Sequence, residues 1–293
     1  MNKQKIQKLL VLAPAFVAIL MLAGCAAKTA PVWGDPQTGL ILQYRMPEGQ
    51  VLKYESWDET TQTMNVMGQT IDMDIDSTNA FTVESKGQQE KNHQLTITID
   101  GMSIKVQSPQ AELEPDMSTV IGKSFDMVLS PWGKELKLMG AEAIEYDMGP
   151  EGTRNIAAVF QDIFPAGPDR PVKVGDTWPD ESVVTDKSSS GEAVIKVSSV
   201  NTLEGFETID GWECARISAK ASGTIEGSGE QQGMEVITSG NIEGTATWFF
   251  AYKEGLFVKQ TMEGSVEGTV SLPSQSIDIP FTREMTSEIK LVK

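Results

Sequence analysis

Two cysteines and one histidine are all that this 293-residue chain offers for thiol, imidazole or soft-metal chemistry. A nucleophilic Cys or Ser needs a base within reach, so Cys214 or any serine would have to recruit His93. His93 follows the polar run Lys86 to Asn92 and reads as an exposed turn residue. Cys214 lies in Trp212-Glu213-Cys214-Ala215-Arg216-Ile217, a strand-like stretch in which it reads as a buried structural thiol. One His and two Cys cannot build a multi-His or thiolate metal site, and no Gly-x-Ser-x-Gly elbow occurs. Asp72, Asp74 and Asp76 open like a calcium loop, but Ser77 stands at the required Gly and Val83 at the bidentate Glu. Gly122-Lys123-Ser124 echoes a phosphate loop, yet Met117 occupies the position of its first Gly. No catalytic residue, cofactor or metal site is expected. Among 41 acids a hydrolytic carboxylate pair remains the enzymatic alternative.

The elements that would position these residues are mostly strands. Ile71, Met73 and Ile75 alternate with Asp72, Asp74 and Asp76, which puts the three acids on a solvent face. Leu95, Ile97 and Ile99 share a phase that shifts to Met102, Ile104 and Val106 beyond Gly101, so a bulge or bend is predicted there. Ser124 to Leu138 reads as a hairpin turning at Pro131-Trp132-Gly133. Ile156, Val159, Phe160 and Ile163 are spaced for one main helix near 153–164, stopped by Pro165. A repeat of apolar-Glu-Gly-Ser/Thr (Ile225–Ser228, Ile242–Thr245, Met262–Ser265, Val266–Thr269) places Gly inside strands, which suggests curvature or close backbone approach. Trp248, Phe250 and Tyr252 share a phase before the turn Lys253-Glu254-Gly255. The fold class is mainly β, α+β at most: a highly curved antiparallel sheet or open half-barrel.

The amino terminus carries Lys3, Lys5 and Lys8, then an apolar run from Leu9 to Leu22 broken only by Pro14. This is a secretory signal, with an apolar core short of the ~20 residues that a spanning helix needs. Leu22-Ala23-Gly24-Cys25 resembles the lipobox of bacterial lipoprotein signal peptides. The resemblance implies cleavage after Gly24, a diacylglyceryl thioether on Cys25 and an acylated, palmitate-type amino terminus that anchors the chain in a membrane. Ala26 rather than Asp after Cys25 resembles the pattern sorted to the outer membrane, facing the periplasm, in a cell with two membranes. The organisation expected is a signal peptide at 1–24, a tether at 25–39 and one β-rich domain at 40–293, whose halves 40–150 and 165–293 are joined by the helix. Loss of the leader moves the net charge from −17 to −20. Such acidity argues against a nucleic-acid partner and against electrostatic docking on anionic lipid.

Several stretches resemble an uncharacterised family of bacterial envelope lipoproteins: Tyr44 through Tyr54 (Tyr-Arg-Met-Pro-Glu-Gly-Gln-Val-Leu-Lys-Tyr), Ile121-Gly122-Lys123-Ser124-Phe125, Ser130-Pro131-Trp132-Gly133-Lys134 and Val174-Gly175-Asp176-Thr177-Trp178. These are turns and strand starts, and the resemblance carries no catalytic residues. More distantly, a curved sheet with a covering helix is similar to the LolA-like half-barrels that carry lipids or lipoproteins through the envelope. Met64, Met67, Met73, Met102, Met117, Met127 and Met139 crowd the first half, as in ordinary cores and in adaptable apolar pockets. The expected function is that of a non-catalytic, lipid-anchored envelope protein binding a lipid or other hydrophobic ligand in the concave face. The alternative is a structural or protein-interaction module of the envelope.

Overall fold

The computed structural model describes residues 32–292 except 67, 110, 150, 151 and 232. Among these, β1 (Gly34–Asp35) and β2 (Gly39–Leu40) form a small two-stranded sheet of their own. The long strands β3 (Val51–Val66), β4 (Gln69–Gln89) and β5 (Asn92–Ser108) follow, then the shorter β6 (Ala111–Leu113), β7 (Ser124–Leu129) and β8 (Glu135–Met139). A small hairpin, β9 (Glu145–Asp147) and β10 (Thr153–Asn155), precedes the helix α1 (Ala157–Phe160). Six strands complete the chain: β11 (Thr177–Ser188), β12 (Gly191–Ile209), β13 (Trp212–Gln231), β14 (Met234–Ala251), β15 (Leu256–Leu272) and β16 (Ile277–Val292).

Thirteen of these form one curled antiparallel sheet in the order β8-β7-β5-β4-β3-β16-β15-β14-β13-β12-β11-β10-β9, with β6 added on β5. The last strand returns to pair with the first long one, Phe281 facing Met64 and Leu291 facing Tyr54, so the two halves of the chain share one sheet. At ~3.3 Å per residue, the 21-residue β4 is roughly 70 Å long. The half-barrel expected from the alternation is the observed fold.

Glycine sets the curl. Within the Glu-Gly repeat, Gly has the parity of the apolar residue two before it, so both face inward while Glu226, Glu243, Glu263 and Glu267 are exposed outside. Gly240 stands opposite Gly268, and Gly244 opposite Gly264. Without side chains between them, strands bend inward until backbone meets backbone; a Cβ on Gly223 would collide with the Lys196 carbonyl. The phase change at Gly101 is a bulge: Ala80 faces Gly101 but Phe81 faces Ile99, leaving Asp100 unpaired.

The helix near 153–164 is the main correction. Its first three residues are strand β10, pairing with β9, and α1 is a single turn. Asn155 Oδ1 accepts from Ala157 N at 3.0 Å and starts that turn. Gln161 is already extended, its side chain taken by Thr185 N at 2.8 Å, and Asp162 has φ +53. Ile156 and Phe160 are buried as their spacing implied, and so is Phe164. The apolar spacing therefore marked core contacts, which one turn and an extended segment satisfy.

The core fills one end of the half-barrel. Leu40, Leu42, Tyr44 and Met46 are buried in alternation as the chain crosses that end, with Leu40 bridged to Val172. Tyr44 packs edge-on against Phe164 and Phe250, and its hydroxyl donates to Pro165 O at 2.9 Å. Arg45 donates to the carbonyls of Tyr252 and Lys253 at 2.5 and 2.6 Å, tying down the β14–β15 turn.

Candidate functional site

The segments around Tyr44, Gly122, Gly133 and Trp178 build this closed end. Gly133, at φ +90, lies so near the Tyr44 ring that a Cβ would sit 2.5 Å from it. Trp178 Nε1 donates to Ala166 O at 3.2 Å and meets Trp248 edge to face. Gly122 N donates to Ile99 O at 2.7 Å. All three are structural contacts.

His93 is a correction: it is fully buried under the N-terminal segment, not exposed on a turn. Its Nε2 lies 3.1 Å from Tyr44 O and so carries the proton, which leaves Nδ1, 3.5 Å from Gln88 Nε2, as an acceptor. Burial lowers its pKa, against the opposing pull of the Tyr44 and Met46 carbonyls. Cys214 is buried, as expected, and burial pushes its thiol up to about 12, so no thiolate forms at neutral pH. Asp72, Asp74 and Asp76 are exposed on the outer face, where Thr63 and Thr61 donate to Asp72 and Asp74 at 2.8 and 3.0 Å. Among the described residues no cluster of His, Cys, Asp or Glu is arranged to hold a metal ion. Cys25 and Met67 lie outside the described residues.

Of the methionines, Met102, Met117 and Met127 are core, and Met139 is exposed. Met64 and Met73 belong to neither group. They face inward in the far half of the half-barrel, where the sheet continues beyond the core as a groove. Paired positions follow one another around its wall: Val184, Ile195, Ile225, Gly240, Gly268, Phe281, Met64 and Ile71 stand in one row. Most are only partly buried, and outside the core cluster. The opposite parity is mostly acidic and hydroxylated: Glu59, Asp72, Asp74, Glu226, Glu243 and Glu284 are exposed there, with Val183, Val200 and Ile237 among them. This partition reverses that of a membrane-spanning barrel, which turns apolar side chains outward to lipid and polar ones inward.

A cavity of about 470 Å³ opens in this groove. Ile225, Val236 and the bare backbones of Gly227 and Gly229 form its wall, and Arg154, Asp186 and Arg283 bring charge into it. Its volume falls within the usual ligand-pocket range of roughly 300–1,000 Å³. Arg154 lies 3.5 Å from Asp186, and Arg283 donates to Gln62 Oε1 at 2.6 and 3.1 Å. Nearer the core, a pocket of about 150 Å³ holds Lys134, Asp162 and Asp180 over the small side chains of Ala219, Ala221 and Ala246. Lys134 Nζ is 3.8 Å from Asp180, whose carboxyl is raised by burial. Glu135 is raised for the same reason while accepting from Asp162 N at 3.1 Å.

The groove was readable in the repeat of inward apolar and glycine positions, the charged cavity was not. Arg154 sits inside the stretch that reads as helix, and Arg283 inside a strand whose partners the sequence does not name.

No family model and no curated relative matches the chain. Among solved structures it is similar to an outer membrane channel from Pseudomonas putida F1, at 7% identity and TM-score 0.30, over 85% of this chain and 98% of that one. It is also similar to an exported protein with a YmcC-like fold from Bacteroides fragilis, at 8% identity and TM-score 0.24, over 85% and 96%. A DUF1329 family protein from Desulfovibrio piger shows 13% identity and TM-score 0.22, over 82% and 84%. At such scores the likenesses assign no activity.

Proposed function

We propose that this is a non-catalytic protein of the cell envelope, anchored through acyl chains on Cys25, that holds a lipid or other apolar ligand in the far half of its concave face. One observation carries the reading: the sheet extends an inward apolar face well beyond its packed core while turning acids outward. Apolar surface left facing a groove gains roughly 25 cal/mol per Å² when something covers it. Core-filling side chains would serve a purely structural module better than a wall of glycine and partly exposed Val, Ile and Met. The leader supports the address, since a secretory signal ending in Cys implies export and acylation.

The test is native mass spectrometry of the full chain released gently from its own membranes. A bound lipid is expected, and Ile242→Glu, which puts a charge on the groove wall, should remove it while the far-ultraviolet spectrum stays unchanged. Recovery of the unsubstituted chain without any apolar ligand, together with crosslinking of a protein partner to the acidic outer face, would instead favour the interaction-module reading.

A further inference from the structure

Resting on that reading, we infer that the apolar ligand carries a primary ammonium, received on the concave face by Asp58 and the side chains of Ser56, Ser77 and Asn79 around it. Two consecutive inward pairs across β3 and β4, Asp58 with Ser77 and Ser56 with Asn79, are wholly polar, and Ser287 faces Asp58 from β16. Asp58 is half-buried, and its carboxylate accepts one side-chain hydrogen bond, from Ser77 Oγ at 3.2 Å. Burial raises that carboxyl, and the influence opposing burial is the Ser77 hydroxyl, not a cation. Level with Asp58 and one inward step to either side, β5, β4, β3, β16, β15 and β14 present no Lys or Arg. The next inward cation on these strands, Arg283, stands four residues from Ser287 along β16 and donates to Gln62. Asn79 is 8% exposed; its Nδ2 donates to Ser56 Oγ at 3.2 Å, while its Oδ1 accepts no hydrogen bond.

A carboxylate so placed is costly until a counter-charge meets it, and an orphaned amide oxygen adds to the cost. Both deficits are of donors. A primary ammonium supplies three N–H donors and a positive charge on one compact centre, whereas a hydroxyl brings one donor and no charge. The chain's net charge of −17 also favours a cationic guest over an anionic one. The apolar body of such a guest extends away from the core. Beyond Ser77 the inward positions of β4 are Ile75, Met73 and Ile71, all half-buried, with Met64 beside Ile71 on β3. From Ser77 to Ile71 the strand rises roughly 20 Å, enough for a long alkyl chain. Head and tail are thus separated along the strands as they are in an amphiphile.

The test uses the full chain in a nonionic amphipol, stripped of lipid and titrated calorimetrically with oleylamine, lysophosphatidylethanolamine and oleyl alcohol delivered from cyclodextrin. Salt at about 0.15 M screens the acids of the outer face. At least one of the two amines should bind about tenfold or more tighter than oleyl alcohol, the scale of a charge-assisted hydrogen bond. Whichever amine binds better identifies the head as a bare amine or an ethanolamine phosphate. Asp58→Asn should bring that amine and the alcohol within about threefold, the residue that screened surface charge can leave. A preference that survives Asp58→Asn in full places the amine on the outer acids and overturns the site. Equal binding of amine and alcohol by the unsubstituted chain overturns the head-group assignment and leaves the apolar groove standing. No binding of any of the three overturns the groove itself.

Discussion

The ring of Phe281 lies directly over Gly268 on the neighbouring strand, its edge 2.7 Å from where a Cβ on that glycine would stand. The two face each other across β15 and β16, and the ring occupies the space that the missing side chain leaves. Curvature and packing are here one contact: the strand bends because Gly268 lets the ring in. Replacing Gly268 by Ala should therefore lower stability by about 1–3 kcal/mol, the usual cost of overpacking, and Val should cost more. Urea denaturation measures it; a midpoint equal to that of the unsubstituted chain would show that the ring moves aside freely.

Tyr54 makes a second such tie. Its hydroxyl donates to Phe257 O at 2.9 Å, from β3 to β15, and its ring stacks on both Phe81 and Phe257. Tyr54→Phe keeps the stacking but leaves that buried carbonyl without the donor. A loss of about 1–3 kcal/mol in urea is expected.

Acid stability divides between His93 and the buried carboxyls. Burial lowers His93, so below about pH 6.5 the unfolded chain binds a proton that the folded chain refuses. The stability that neutral His93 contributes is present above that pH and is lost as pH falls toward its folded value. Asp58, with Glu135 and Asp180, behaves in the opposite way. Burial raises its carboxyl, so the folded chain holds a proton that the unfolded chain gives up, and this contribution grows as pH falls through the raised value. Urea midpoints from pH 8 to pH 4 should drop less in His93→Gln than in the unsubstituted chain, and more in Asp58→Asn.

The acids of the outer face should be dispensable for folding. Changing Asp72, Asp74 and Asp76 together to Asn removes charge from exposed positions, where Thr63 and Thr61 donate to Asp72 and Asp74 and Asp76 stands opposite Lys105. Stability should stay within about 0.5 kcal/mol, as for ordinary surface changes. Added calcium should leave the melting temperature of the unsubstituted chain where it was; a rise on calcium would mean that these acids form a site.

How much was legible follows from how local each property is. The alternation of Ile71, Met73 and Ile75 with three aspartates settles which face is wet, because the strand period is two and needs no partner. The Gly101 bulge and the Glu-Gly repeat are equally local, since a phase slip and a missing Cβ act on their own strands. The helix at 153–164 was over-read for the converse reason. Spacing of i, i+3 and i+4 tells which residues are buried, but the backbone between them is decided by competing hydrogen bonds, here Thr185 N on Gln161 and β9 on β10. His93 was misjudged because its cover, the segment carrying Tyr44, lies 49 residues away. By itself, then, the sequence determined the β class, the polarity of the two faces and the curl. Only the tertiary structure decided that Arg154 and Arg283 share one cavity and that one end of the half-barrel is filled, because both depend on strand pairings far apart in the chain.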